Sequence, residues 1–250
     1  MIRTGLVSVT FRGMSPRQIV EITAKAGLDA VEWGGDIHVP HGNLSAAREA
    51  GQLTTDAGLA VAAYGSYYRV GQDESGFEKV LEAAIELGAP TVRVWAGSKG
   101  SNEADEAYRK NIVEDSRRIG DLADAAGLTI SYEFHGGTLT DTNQSAIELL
   151  KEVSHKSVKA YWQPAIAMDP EYRLAGLEAI LPWLSNVHVF HWGDVPTDRR
   201  LLSEGAVEWK RYLECVSSTE RDHFALIEFV QDDDPDKFIQ DAETLKRLVA

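Results

Sequence analysis

Four side chains that suit a divalent cation lie at or near the ends of four apolar, β-rich segments. The segments TISYEF, KAYWQ, VHVFHW and ALIEF carry Glu133, Gln163, His191 and Glu228. An unpaired buried carboxylate costs several kcal/mol, so such glutamates must be paired, solvated or bound to a metal ion. Two carboxylates, an amide oxygen and an imidazole suit Mn²⁺, Mg²⁺ or Co²⁺ better than Zn²⁺. We therefore predict one divalent metal site held by these four residues.

The segment VHVFHWGD offers two histidines for the ligand role. His191 is nearer the carboxyl end of the segment, precedes a Gly-Asp turn and shares its side of a strand with Val187 and Val189. His188 falls on the opposite side and deeper in the strand. We expect His191 to be the ligand and His188 to be a core histidine bonded to a backbone carbonyl.

These segments belong to a repeating pattern that should position the four side chains. Eight apolar runs, each followed by a helical stretch, occur along the chain: LVSVTF, LDAVEW, LAVAAY, TVRVW, TISYEF, KAYWQ, VHVFHW and ALIEF. The pattern predicts one domain over residues 1–250, a (β/α)8 TIM barrel of the α/β class, in which the carboxyl ends of all strands meet on one face. An open doubly wound sheet is the competing fold, but no GxGxxG sequence follows the first run.

Composition and charge limit the kinds of molecule that the protein is expected to bind and the place where it is expected to act. The 250 residues include 25 Lys and Arg against 39 Asp and Glu, a formal net charge of -14, which disfavours nucleic acid as a partner. The N-terminal residues lack the pattern of a signal peptide, and no run approaches the roughly 18 apolar residues of a membrane span. The single cysteine, Cys215, cannot form an internal disulfide. These features predict a soluble, cytoplasmic protein.

The sequence resembles the xylose isomerase-like TIM barrels over nearly its whole length. The resemblance lies in VEWGGDIHVPHG (31–42), VRVWAG (92–97), YEFHGG (132–137), YWQPA (161–165), HVFHWGD (188–194) and IEF (227–229). It implies a divalent metal held by Glu, Asp, His and Glu at the ends of late strands. The matching positions here are Glu133, Gln163, His191 and Glu228. It also implies that the two glutamates are catalytic and exchange a proton with the carbon beside the substrate carbonyl. Gln163 departs from the aspartate of many family members, because an amide oxygen supplies no charge.

Five further side chains are placed to bind a polyol substrate. His135 lies two residues beyond the predicted ligand of the same strand, although it is equally consistent with a loop histidine in water. Glu32 and His38 flank a Gly-Gly-Asp turn, where a salt bridge at the barrel rim is the alternative for Glu32. Trp95 ends the fourth run. Arg93 could anchor a carboxylate or phosphate, or could instead pair with a glutamate inside the barrel.

Together these features favour a divalent-metal-dependent isomerase or epimerase of a small sugar, sugar phosphate or hydroxycarbonyl compound. The expected route is proton transfer through an enediolate that the metal stabilises. The alternatives are a dehydratase of a keto-polyol, similar to inosose dehydratase, and a non-catalytic sugar-binding relative. We expect a small-molecule polyol or sugar as the partner. A homo-oligomer is also possible, because dimers and tetramers are common in the family that the sequence resembles.

Overall fold

Eight parallel strands close into a barrel. The structure is a computed structural model that describes residues 1–72 and 76–250. The barrel strands are β1 (Ile2–Val7), β2 (Ala30–Gly34), β3 (Ala60–Arg69), β4 (Thr91–Trp95), β5 (Thr129–Glu133), β6 (Val158–Trp162), β7 (Leu184–Val189) and β10 (His223–Ile227). A short antiparallel pair, β8 (His191–Trp192) and β9 (Arg199–Arg200), lies outside the barrel. Around the barrel the strands follow the order β1, β10, β7, β6, β5, β4, β3, β2. The predicted (β/α)8 TIM barrel is therefore confirmed.

Helices follow the barrel strands and cover them. They are α1 (Pro16–Lys25), α2 (Leu44–Asp56), α3 (Phe77–Leu87), α4 (Glu106–Ala125), α5 (Asn143–Val153), α6 (Pro170–Ile180), α7 (Ala206–Ser217) and α8 (Pro235–Val249). Local sequence sets their ends. Ser15 accepts a hydrogen bond from the Gln18 amide at the start of α1, and Gly88 ends α3 with a φ of 77°. In the described part of the chain no helix is both long and apolar enough to cross a membrane.

Two of the predicted strands end earlier in the structure, whereas β3 continues past Tyr64 to Arg69. In LVSVTF the strand stops at Val7, and the residues Ser8–Phe11 form a 3₁₀ turn. In VHVFHW the barrel strand stops at Val189, and His191 begins the outer strand β8. The carbonyl of Phe190 accepts a hydrogen bond from Trp209 Nε1 of α7 at 2.9 Å, so the chain has left the barrel ladder at this residue.

The barrel separates two apolar regions. The larger one lies between the strands and the helices, while a smaller one fills the barrel interior with the residues Val7, Val9, Ala30, Ala62, Ala63, Tyr161 and Leu226. The interior is tightly closed at its base, because a Cβ atom on Gly5 would lie 2.6 Å from the carbonyl oxygen of Ala30. The candidate site lies above this closed base, toward the carboxyl ends of the strands.

Candidate metal and active site

Three buried side chains converge at the carboxyl end of the barrel. Glu133 is the last residue of β5, His188 lies on β7, and Glu228 directly follows β10. One ligand atom of each lies within 4.8 Å of the others. The side chains of Glu133 and Glu228 are 5% and 7% exposed and that of His188 is fully buried, so the group is shielded from water except at the cavity above it.

The two ring nitrogens of His188 have different surroundings. Nε2 lies 3.2 Å from Glu32 Oε2. Nδ1 lies 3.0 Å from Gln163 Oε1, 3.4 Å from Glu228 Oε2 and 3.7 Å from Glu133 Oε1. A metal-binding histidine commonly donates its other ring N–H to a carboxylate, which fixes the ring and its tautomer. Glu32 is placed for that role, and Nδ1 is the nitrogen that faces the other donors.

The structure places His188, and not His191, beside the other predicted ligands. His191 lines a separate small cavity beside α7, together with Arg173, Glu208 and Trp209. Burial lowers its pKa, and Glu208 only partly opposes that effect. The assumed strand alternation does not reach residue 191, because the strand has already ended at Val189. The expectation that His188 bonds a backbone carbonyl is wrong, since its partners are side chains.

A signal for His188 was present in the sequence. Asn186 and His188 alternate as polar residues on an apolar strand, as Ser131 and Glu133 do on β5. Asn186 Nδ2 donates to Tyr161 Oη inside the barrel at 3.0 Å. The apolar residues Val187 and Val189 instead join the core between the strands and the helices. Polar alternation therefore marks the inner side of a barrel strand better than closeness to its end.

A buried arginine joins two of the glutamates below the cavity. Arg93 Nε donates to Glu32 Oε1 at 2.7 Å, and its Nη1 donates to Glu133 Oε2. The side chain of Arg93 is 2% exposed. Gly65 makes room for the pair, because a Cβ atom there would lie 2.6 Å from Arg93 Nη2 and 2.8 Å from Glu32 Oε1. Arg93 therefore pairs with glutamates inside the barrel, which was one of the two alternatives from the sequence. Its guanidinium is hydrogen-bonded to protein carboxylates.

The pKa values differ among the four ionisable groups Glu32, Glu133, Glu228 and His188. Burial opposes charge on Glu32, but His188 and Arg93 outweigh it and lower the pKa of Glu32 to about 2. Burial acts in the same way on Glu133, and Arg93 with His188 still holds the pKa of this carboxyl below its ordinary value. Burial raises the pKa of Glu228 to about 7. Burial would lower the pKa of His188, yet the nearby Glu228 and Glu32 raise it to about 9.

Gln163 completes the ring of donors around the three converging side chains. Its Nε2 donates to the carbonyl of Phe134 at 2.6 Å, which leaves Oε1 directed at His188 Nδ1. The amide is therefore oriented by the backbone of the neighbouring strand. Its oxygen faces the imidazole of His188, and it adds no charge to this group of donors.

Two of the residues expected to bind substrate have structural partners instead. Both ring nitrogens of His38 are engaged, Nδ1 with Ser8 Oγ and Nε2 with the Met14 carbonyl, each at 3.0 Å. His38 thereby ties the turn after β2 to the turn after β1. Glu32 is fully buried and bonds Arg93 and His188. Neither residue lines the cavity above the site, and a role of either in substrate binding stays a prediction.

Trp95 and His135 lie in the wall of the cavity, where they were expected. Their rings pack with centroids 4.6 Å apart, and Trp95 Nε1 donates to Glu133 Oε2 at 2.5 Å. The ring nitrogen Nδ1 of His135 lies 2.7 Å from the Gly136 carbonyl, which accepts its hydrogen. In that tautomer Nε2 carries a free lone pair.

The cavity measures about 600 Å³ and its walls are rich in aromatic rings. Rings from β3, β4 and β8 and from the loops after β5, β7 and β10 contribute to the wall: Tyr67, Trp95, Phe134, Phe190, Trp192 and Phe229. Arg93, Glu133, Gln163 and Glu228 also border the cavity. The sequence analysis did not select Phe190, Trp192 or Phe229, because which rings meet depends on how the loops fold back over the barrel.

The donor set fits a divalent cation. Two carboxylates, an imidazole nitrogen and a backbone-oriented amide oxygen face one another, and a carboxylate supports the far side of the imidazole. The ligands would be Glu133, Gln163, His188 and Glu228. Three of these were predicted from the sequence, and their role as metal ligands stays a prediction.

Comparison with known proteins agrees with this architecture. Residues 20–248 match the family model described as xylose isomerase-like TIM barrel. A curated relative, the 3-dehydroshikimate dehydratase of Bacillus anthracis, is 28% identical over 183 residues, which cover 61% of this chain. The matched part spans 63% of that relative, less than two thirds of its length.

Solved structures share the fold over almost the whole chain. The probable 3-DHS dehydratase AsbF of Bacillus anthracis has a TM-score of 0.81 at 21% identity. The match covers 98% of this chain and 99% of the AsbF chain. A D-allulose 3-epimerase from Methylomonas sp. has a TM-score of 0.76 at 15% identity, with 99% and 98% covered. A magnesium complex from Mycobacterium smegmatis has a TM-score of 0.74 at 17% identity, with 99% and 98% covered.

Proposed function

Because the chain belongs to the xylose isomerase-like TIM barrel family, we propose that it is a divalent-metal-dependent dehydratase of a small cyclic hydroxyketone. The observation that carries this proposal is the aromatic cavity directly above Glu133, His188 and Glu228. Aromatic walls favour a flat ring over an open-chain sugar, whose many hydroxyls would need hydrogen-bond partners that such walls do not offer. The relative that acts on 3-dehydroshikimate supports the same class of substrate.

Dehydration of a β-hydroxyketone requires one base and one acid. The base removes a proton from the carbon beside the carbonyl, a carbon–carbon double bond forms, and the hydroxyl group leaves with a proton as water. A bound divalent ion would stabilise the negative charge that develops on the carbonyl oxygen. If 3-dehydroshikimate is the substrate, loss of water leaves a ring ketone. The shift of one ring proton to its carbonyl oxygen then gives the aromatic acid protocatechuate.

We assign the base to His135, and the imidazolium that it becomes then gives that proton to the leaving hydroxyl group. The Gly136 carbonyl holds the hydrogen of His135 on Nδ1, so that Nε2 can accept the proton of the substrate. Glu228 is one of the four expected ligands, and a carboxylate that binds a divalent ion is charged, so it does not supply the proton. Both residues border the cavity, on loops that follow β5 and β10.

Glu133 is better suited to bind the metal ion than to transfer a proton. Its contacts with Arg93 and Trp95 favour the charged carboxylate and lower its pKa, so it is a weak base. This assignment departs from the expectation that Glu133 and Glu228 exchange protons as a pair.

The second candidate is an isomerase or epimerase of a small sugar. The two carboxylates at the cavity floor favour it, and the D-allulose 3-epimerase shares the fold. Such a reaction also begins with proton removal beside a carbonyl, but the substrate keeps all its atoms. A locked Glu133 carboxylate argues against it, because proton exchange on both faces of the carbon needs two proton carriers.

Mass spectrometry of the products distinguishes the two candidates. The purified protein is incubated with a divalent metal and either 3-dehydroshikimate or a ketohexose. We expect loss of one water from the cyclic ketone and no change in the ketohexose. A ketohexose that keeps its water but gains one deuterium when the incubation is run in heavy water would support the epimerase. No change in either compound would contradict both assignments.

A further inference from the structure

A strained aromatic residue and an arginine meet at the mouth of the cavity. Tyr67 has a φ of 58°, a left-handed conformation that is unfavourable for a residue with a bulky side chain. It lies between Gly65 and Arg69, where the pairing of β3 with β4 shifts its register. Irregularities of this kind re-aim side chains beside active sites, and backbone strain of about 1–3 kcal/mol persists only where the surroundings enforce it.

The surroundings of Tyr67 hold its ring in the cavity wall. The ring packs against Trp95 with centroids 5.3 Å apart, and the guanidinium carbon of Arg93 lies 5.3 Å from its centroid. Arg12 Nη2 donates to Tyr67 Oη at 3.1 Å. The proton of this phenol has no acceptor among residues 1–72 and 76–250, so the hydroxyl can donate it to a ligand.

Arg12 is the positively charged side chain at the mouth of the cavity that can bind a ligand. Within the described chain, Arg12 and Arg93 are the two permanently charged cationic side chains that line the cavity, and Arg93 is bound between Glu32 and Glu133. Arg12 is 47% exposed and its Nη1 donates to Asp36 at 2.5 Å. The contacts to Asp36 and Tyr67 orient the guanidinium and use two of its five N–H groups, which leaves three for a ligand.

We propose that Arg12 and Tyr67 form a carboxylate subsite that fixes one end of a ring-shaped substrate; this assignment rests on the proposed function. A guanidinium fork beside a phenol O–H matches the two oxygens of a carboxylate. Because Asp36 neutralises part of the charge of Arg12, the site suits a singly charged carboxylate better than a doubly charged phosphate. The substrate class is therefore a small cyclic carboxylate with oxygen groups at the opposite end, near Glu133 and Glu228.

Binding of two ring compounds tests the subsite without requiring turnover. Protocatechuate and catechol share the dihydroxylated ring, and only the first carries a carboxylate. Isothermal titration with the metal-loaded full chain should show protocatechuate bound about tenfold more tightly or better. Arg12→Gln should reduce this preference to less than about threefold while the affinity for catechol stays within about twofold, and Tyr67→Phe should reduce it partly.

Arg211→Gln is the matched control. Arg211 is 42% exposed and pairs with one acidic residue, Glu171, away from the cavity. Its loss should not change either affinity. Equal affinity of the unaltered protein for both compounds, failure of both to bind, or a parallel loss of both in Arg12→Gln would overturn the subsite. Tighter binding of phenyl phosphate than of benzoate would overturn the choice of carboxylate.

The subsite and the proposed function can fail separately. A preference for the carboxylate that depends on Arg12, in a protein that does not dehydrate 3-dehydroshikimate, would contradict the reaction and support the subsite. Dehydration with a KM that Arg12→Gln leaves unchanged would contradict the subsite and support the reaction.

Discussion

Glu32 Oε2 lies 3.2 Å from His188 Nε2, and this contact directs the opposite ring nitrogen at the donors of the candidate metal site. The carboxylate comes from β2 and the imidazole from β7, so they are 156 residues apart in sequence. Glu32 also holds Arg93. One fully buried glutamate therefore orients both the histidine ligand and the guanidinium that keeps Glu133 charged.

Replacement of the two histidines separates the observed site from the predicted one. His188→Ala should weaken divalent-metal binding by about 100-fold or more, because it removes the only imidazole nitrogen among the donors of the described residues. His191→Ala should stay within about threefold of the unaltered protein. Titration with Mn²⁺, followed by isothermal calorimetry, measures both. The reverse ranking would show that His191 is the ligand after all.

The substitution Glu32→Gln tests the support of His188. In this variant the amide oxygen can still accept a hydrogen bond from Nε2–H of His188. Because the oxygen is neutral, it accepts this hydrogen bond more weakly than the carboxylate does. We expect metal affinity to fall by about 10- to 100-fold, the usual effect of changing an outer partner of a ligand. Glu86→Gln, which alters an exposed pair with Arg48, is the control and should bind metal normally. An unaltered affinity in Glu32→Gln would contradict the orienting role.

Removal of the buried guanidinium should destabilise the fold. Arg93→Met leaves Glu32 and Glu133 without their shared cation, and the free energy of unfolding should fall by about 3–5 kcal/mol. Arg48→Met breaks an exposed pair and should cost less than about 1 kcal/mol. Urea denaturation of the metal-free proteins measures both values. A similar loss in the two variants would mean that the buried network contributes little.

Asp241 gives stability a pH dependence outside the active site. The carboxyl accepts the Leu202 amide at 2.8 Å, and burial raises its pKa from 3.8 to about 6. Between these values the folded protein binds more protons than the unfolded chain, so the free energy of unfolding should decrease as the pH rises through this window. The loss can reach about 3 kcal/mol, at about 1.4 kcal/mol for each pH unit.

The variant Asp241→Asn keeps an oxygen acceptor for the Leu202 amide and cannot ionise. Its free energy of unfolding, measured in urea at pH 4 and pH 7, should lack the decrease that this carboxyl causes in the unaltered protein. A decrease of equal size in both proteins would assign it to other groups.

The sequence allowed most of the fold and part of the site to be predicted. Apolar runs, helix caps and glycines are local signals, and their eightfold repetition indicated a closed barrel. Glu133, Gln163 and Glu228 were predicted to converge because strands of a barrel end on one face. The strand end at Val189 was not predictable in this way, because it depends on a contact between Phe190 and Trp209 of α7.

The sequence by itself determined the order of strands and helices, the end of the barrel where ionisable residues gather and the family to which those residues point. The tertiary structure decided which histidine faces the carboxylates, that Arg93 bonds protein glutamates, and which rings form the cavity wall. The physical reason is that alternation and capping act between neighbouring residues. Hydrogen bonds such as that between His188 and Glu32, and the strain at Tyr67, depend on groups that only the closed barrel brings together.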